Sequence, residues 1–140
     1  MLRRNALTFL GLAGLALVGC VGTTPWRGLR KIGLLQSFHG PNTEDTMATH
    51  VMVRETLIVQ NQSGGIGGIR VELVSLDDEA NASVFQMRLA ELLADPLMRI
   101  ILVRSDIPNV SFAPARIPII RTTDSAMTRN TLIDYLKNSA

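Results

Sequence analysis

Four short aliphatic runs recur along this chain, with helix-like stretches between them. KIGLLQ at 31–36, IRVELVSL at 69–76, RIILV at 99–103 and IPII at 117–120 read as strands with apolar residues on both faces. A strand of that kind must be covered on two sides, which is what crossover helices do for a parallel sheet. The expected fold class is α/β: a doubly wound, mostly parallel sheet of about four strands.

The connections fit that frame. SFHGPN at 37–42 is a cluster of turn formers, and 43–61 reads as a helix. Its apolar stripe is Met47, Val51 and Ile58, with Ala48, Met52 and Val59 beside them, while Glu44 and Asp45 suit the positive end of the helix dipole. A second helix spans 82–94, carries Val84, Met87, Leu89, Leu92 and Leu93, and ends at Asp95-Pro96. RSDIPNVSFAPA, from 104 to 115, holds two prolines and reads as a loop, TTDSAMT as a turn, and 129–138 as the last helix.

The glycines of NQSGGIGG, 61–68, raise the question of a phosphate loop. Such a loop follows a strand and opens a helix, so that free N–H groups at the helix start face the anion. Here the order is reversed, and no Lys-Ser or Lys-Thr pair follows. Gly64 or Gly65 is expected to close the helix in the left-handed conformation, and Gly67-Gly68 to turn the chain into the second strand.

The first 19 residues stand apart: two arginines, an apolar run from Ala6 to Val18, then small residues before a cysteine. That pattern is a secretion signal, too short to span a bilayer comfortably. Leu17-Val18-Gly19-Cys20 resembles the lipobox of bacterial lipoproteins, which implies acylation of Cys20 and attachment to the outer face of a bacterial membrane. Cys20 is the only cysteine, so internal disulfides and cysteine metal sites are excluded. Residues 20–30 read as a lipidated tether in which Trp26 docks on the domain edge, and 31–140 as the domain. Without Arg3 and Arg4, 12 basic side chains meet 12 acidic ones, so the basic bias of the whole chain belongs to its leader. A neutral chain with no basic cluster in its sequence is not expected to bind nucleic acid, and the acyl chain alone would tie it to the membrane.

A family resemblance rests on KIGLL with a Gly-Pro loop, a helix ending in N-x-x-GGIGG, and IRVELVSLDDEAN with a helix behind it. This stretch, 31–103, resembles the start of the type 1 periplasmic solute-binding proteins, in particular the leucine/isoleucine/valine-binding family of ABC importers. ARIPIIRTTDSAMT is a weaker echo of a later strand of that family. The resemblance implies a solute such as an amino acid or amide, an ABC permease as partner, and no cofactor. It also covers only part of the first of two lobes. Where the family has Gly and a Ser-rich turn opening a helix after strand three, this chain has Arg104-Ser105-Asp106-Ile107-Pro108, and Asp106 is expected to repel a carboxylate.

Ligands of open α/β sheets sit outside the C-terminal ends of the strands. Those ends carry Ser37, Phe38 and His39, then Ser105, then Thr122, Thr123 and Ser125. By resemblance, Ser105, Thr122 and Thr123 fall nearest the family's ligand-contacting hydroxyls; the other reading is that these residues make turns and cap helices. His39 and His50 lack companions at metal-ligand spacing. Asp77-Asp78-Glu79 reads as a solvated loop with one carboxylate capping the next helix. No nucleophile elbow, Cys/His pair or carboxylate pair is present, so an enzyme is not expected. Two functions follow: a solute-binding lipoprotein or a fragment of one, or an envelope lipoprotein (alternatively a decayed remnant) acting as an interaction module. Exposed sheet edges also suggest association of two copies.

Overall fold

The computed structural model describes residues 27–108, 110, 112, 114–122 and 127–139. In chain order the elements are β1 (Leu29–Gln36), α1 (Thr43–Gln62), β2 (Arg70–Asp77), α2 (Ala82–Ala94), β3 (Met98–Arg104), β4 (Ile119–Arg121) and α3 (Arg129–Asn138). The four strands form one parallel sheet in the order β2-β1-β3-β4. The expected α/β class and the parallel pairing hold. Boundaries move slightly: β1 starts at Leu29 rather than residue 31, so the last two residues of the expected tether belong to the sheet. Cys20, Trp26, Thr123 and Ser125 lie outside the described residues.

Two apolar layers sandwich the sheet. Ile32 and Leu34 of β1 with Ile100 and Leu102 of β3 face Val53 and Leu57 of α1 and Leu132 and Leu136 of α3. Leu35, Ile101 and Val103 point the other way, onto Phe85, Leu89 and Leu92 of α2, where the loop before β4 adds Phe112 and Ile117. Phe85 has no exposed surface; burying a side chain of that size contributes about 1.5–3 kcal/mol.

The glycine segment has the structural role expected of it. Gly65 N–H donates to Gln60 O at 2.8 Å and Gly64 N–H to Asn61 O at 3.2 Å, the paired bonds of a Schellman cap on α1. Gly64 takes φ +99°, and Gly67 and Gly68 take +62° and +79° in the two-residue turn closed by Ile66 and Ile69. Asn61 completes the joint: its amide nitrogen donates to Val71 O at 2.8 Å and its oxygen accepts from Val71 N–H at 3.0 Å. One side chain thus stands in for a strand partner beside β2.

Two expectations fail. The buried face of α1 is Thr46, Val53, Thr56 and Leu57, whereas Met47, Val51, Ile58 and Val59 are 44–47% exposed. Asn61 lies on the same stripe as Leu57, Val53 and Thr46, so its bonds to Val71 set the helix rotation and turn the Met47 stripe outward. Burying two threonines is offset in part because Thr56 Oγ1 donates to Met52 O at 2.7 Å. The acidic loop is also not simply solvated. Asp78 is fully buried, and the cap of α2 is Asn81, which accepts from Ser83 and Val84 N–H; the aspartates accept instead from the turn at Glu79 and Ala80.

Candidate functional site

The C-terminal ends of the strands are stitched together by short polar side chains. Ser37, directly after β1, is fully buried; its hydroxyl donates to Asp78 Oδ1 at 2.6 Å and accepts from Asp106 N–H at 3.0 Å. One hydroxyl therefore ties together the ends of β1, β2 and β3. Beside it, Asp77 accepts from Phe38 N–H at 3.1 Å, Glu79 N–H at 2.9 Å and His39 Nδ1 at 3.1 Å. Burial pushes its pKa up, but the N–H groups of Glu79 and Phe38 together with His39 more than offset that, so the carboxyl is held below its ordinary range.

Next to this stitched region lies an open cleft of about 160 Å³ lined by Asn42, Val103, Arg104, Ser105, Asp106, Arg121 and Thr122. It sits at the switch point where the chain passes from β1 to its two opposite neighbours, the place where open α/β sheets hold ligands. Of the residues expected there, Ser105 and Thr122 line it. Ser37 does not reach it, being enclosed by Asp78 and Asp106. Ser105 Oγ accepts from Ile107 N–H at 3.2 Å. Thr122 N–H donates to Val103 O at 2.9 Å, which fixes the residue at the end of β4. Its hydroxyl donates to the same carbonyl at 3.4 Å.

Arg104 and Arg121 are cleft residues that the sequence reading missed. Arg104 is a cation at the end of an aliphatic strand, 8% exposed, with Nη1 donating to Thr122 O and Nη2 3.4 Å from Asp45. A charge directly after IILV was the available signal, since arginine is rarely buried unless partnered. Arg121 donates to Val110 O and stacks on Phe112, its guanidinium 5.4 Å from the ring centre. Asp106, expected to repel a carboxylate, has Oδ1 held by Asn42 Nδ2 at 2.7 Å. It packs so closely on Gly40 that a Cβ there would come within 2.6 Å of Oδ2. The cleft therefore pairs two guanidinium groups with one carboxylate, an amide and two hydroxyls, a donor and acceptor set suited to a small polar solute. Among the described residues no group of three or more His, Cys, Asp or Glu is placed to hold a metal ion. No described helix is long and apolar enough to cross a membrane.

No protein-family profile matches this chain, and no curated protein matches it. Among solved structures it is similar to a type 1 periplasmic binding protein from Bordetella pertussis Tohama I, at 25% identity and TM-score 0.48, over 53% of this chain and 20% of that one. It is also similar to a Rhodospirillum rubrum protein assigned as a branched-chain amino acid ABC transporter, at 21% identity and TM-score 0.49, over 54% of this chain and 22% of that one. The matched region thus spans about a fifth of either relative's length.

Proposed function

We propose that this chain is a solute-binding component, or part of one, of an importer for an amino acid or amide, held on the outer face of a bacterial membrane through acylated Cys20. The carrying observation is the cleft at the β1/β3/β4 ends, where guanidinium, hydroxyl, amide and carboxylate groups converge at the switch point of a parallel sheet. In a zwitterionic solute the carboxylate would lie toward Arg104 and Arg121 and the ammonium toward Asp106, with Ser105, Thr122 and, in the segment beyond, Thr123 and Ser125 supplying hydroxyls. The motifs in residues 31–103 support an ABC permease as the partner. At about 160 Å³ the cleft is smaller than usual ligand pockets of roughly 300–1,000 Å³, so one face of the solute stays open and affinity is weak.

The test is the thermal midpoint of the protein with millimolar amino acids and amides. Binding to the folded state alone raises stability by about 2.7 kcal/mol at a hundred times the dissociation constant. A rise with one solute class, abolished by Thr122→Val, is expected; a cooperative transition unmoved by every solute sinks the reading. The outward stripe Met47, Val51, Ile58 and Val59 favours the second reading, an envelope interaction module, and that reading takes over in the latter case.

A further inference from the structure

Residues 20–140 carry 12 basic and 12 acidic side chains, yet the fold concentrates arginines at one end of the sheet. All four strands are parallel, so their first residues share one edge of the sheet. Arg30, Arg70 and Arg99 stand at the starts of β1, β2 and β3. Arg27 joins them, its N–H donating to Gly68 O at 3.0 Å. Arg116 reaches the same edge, donating to the carbonyl of Asp95 at the end of α2, and Lys137 lies in the last turn of α3. Carboxylates are fewer at this edge: Asp95 takes Lys31 at 2.8 Å, Glu72 partly neutralises Arg70 at 3.4 Å, and Asp134 lies one turn before Lys137 on α3, which leaves Arg27, Arg30, Arg99 and Arg116 as the main excess charge. Between Arg30 and Arg99 the edge is dimpled and floored by Ile66, Ile69 and Leu136. The opposite edge carries Glu44, Asp45, Asp77, Asp78, Glu79 and Asp106 against Arg104, Arg121 and Arg129 at the start of α3.

The basic edge is also where the chain enters the domain. Arg27 is seven residues beyond Cys20, and at most about 3.6 Å per residue keeps this edge within roughly 25 Å of that residue. We propose that the basal edge is a docking surface for anionic phospholipid headgroups, against which the domain rests with its cleft edge pointing away from the membrane. The proposal builds on the reading of Cys20 as the anchor, and replaces a molecule swinging on its acyl chain with an oriented one. Its physical basis is the attraction of clustered Lys and Arg to an anionic leaflet, about fivefold in partitioning for each residue at the surface and screened by salt. Among other occupants, nucleic acid would need the same cations but would not explain why the tether ends among them.

The experiment uses the full chain reconstituted in vesicles. Ser139→Cys carries a fluorophore at the base and Ala48→Cys carries one on α1 near the cleft edge, each read by a headgroup-linked quencher. Intact mass reports acylation of Cys20 separately, so failure of the anchor and failure of the surface are distinguished. The expected result is quenching of the basal label at least threefold greater with 30% phosphatidylglycerol than with phosphatidylcholine alone. It should fall at high salt, be lost in Arg27→Glu/Lys137→Glu, and persist in the α1 control Arg54→Glu. The label at residue 48 should stay unquenched throughout. Equal quenching in the two lipids, or quenching that survives both salt and charge reversal, overturns the proposal. The wild-type lipid and salt comparison decides the matter even if the reversed variant does not fold.

Discussion

Glu79 and Ala80 hold φ of +54° and +51°, a conformation that favours glycine, at the turn after β2. They stay there because Asp77 and Asp78 accept the N–H groups of the two residues at 2.9 and 2.8 Å. The left-handed region costs an L-residue about 1–2 kcal/mol, while glycine costs about 0.4–1 kcal/mol through the unfolded chain. Ala80→Gly should therefore stabilise the protein by about 0.5–1 kcal/mol, read as a higher denaturation midpoint at unchanged m-value. A fall in midpoint would mean that the methyl group makes packing that outweighs the strain. The acidic character of this turn was legible in DDEAN, but its burial was not, because the partner of Asp78 is Ser37, 41 residues earlier in the chain.

Elements were the most legible level. The proposed bounds of α2 and α3, 82–94 and 129–138, coincide with those observed, since Asn81 and Thr128 cap their starts with side-chain oxygens and Asp95-Pro96 ends α2. The rotation of α1 is not legible in the sequence because its residues are apolar and polar on every side; the stripe with more methyl groups is not the one that the sheet takes. What sets the rotation is the joint between Asn61 and Val71, a contact between α1 and the edge strand β2. Removing that amide leaves the N–H and C=O of Val71 without their partner, at about 1–3 kcal/mol for groups that are largely buried. Asn61→Ala should destabilise the fold by about that amount and raise hydrogen exchange at β2 more than at β3. Uniform exchange across both strands would show that the joint does not act locally.

For the whole molecule, the two ends of the sheet each carry a carboxylate held below its ordinary range. At the base, Asp95 is lowered by the hydrogen bond from Lys31 and by Leu97 N–H; at the other end, burial raises Asp77 but its N–H donors and His39 lower it further. Both ionise more readily in the folded than in the unfolded chain, so their contribution is complete above the ordinary value of 3.8 and is lost as the pH falls through the lower folded values. The contribution of these two carboxylates should be constant above about pH 5 and decline below pH 4, with Asp95→Asn flattening part of the acid decline; an acid limb unchanged by that substitution would remove Asp95 as a contributor. Strand runs, caps and turns are local chemistry, so the α/β class, the element order and the helix-closing role of the glycines could be read from the residues alone. Only the tertiary structure brought Arg104 and Arg121 to the cleft, enclosed Ser37, and turned the Met47 stripe outward. It alone gathered arginines at one edge, because parallel strands place residues far apart in sequence, Arg30, Arg70 and Arg99, side by side in space.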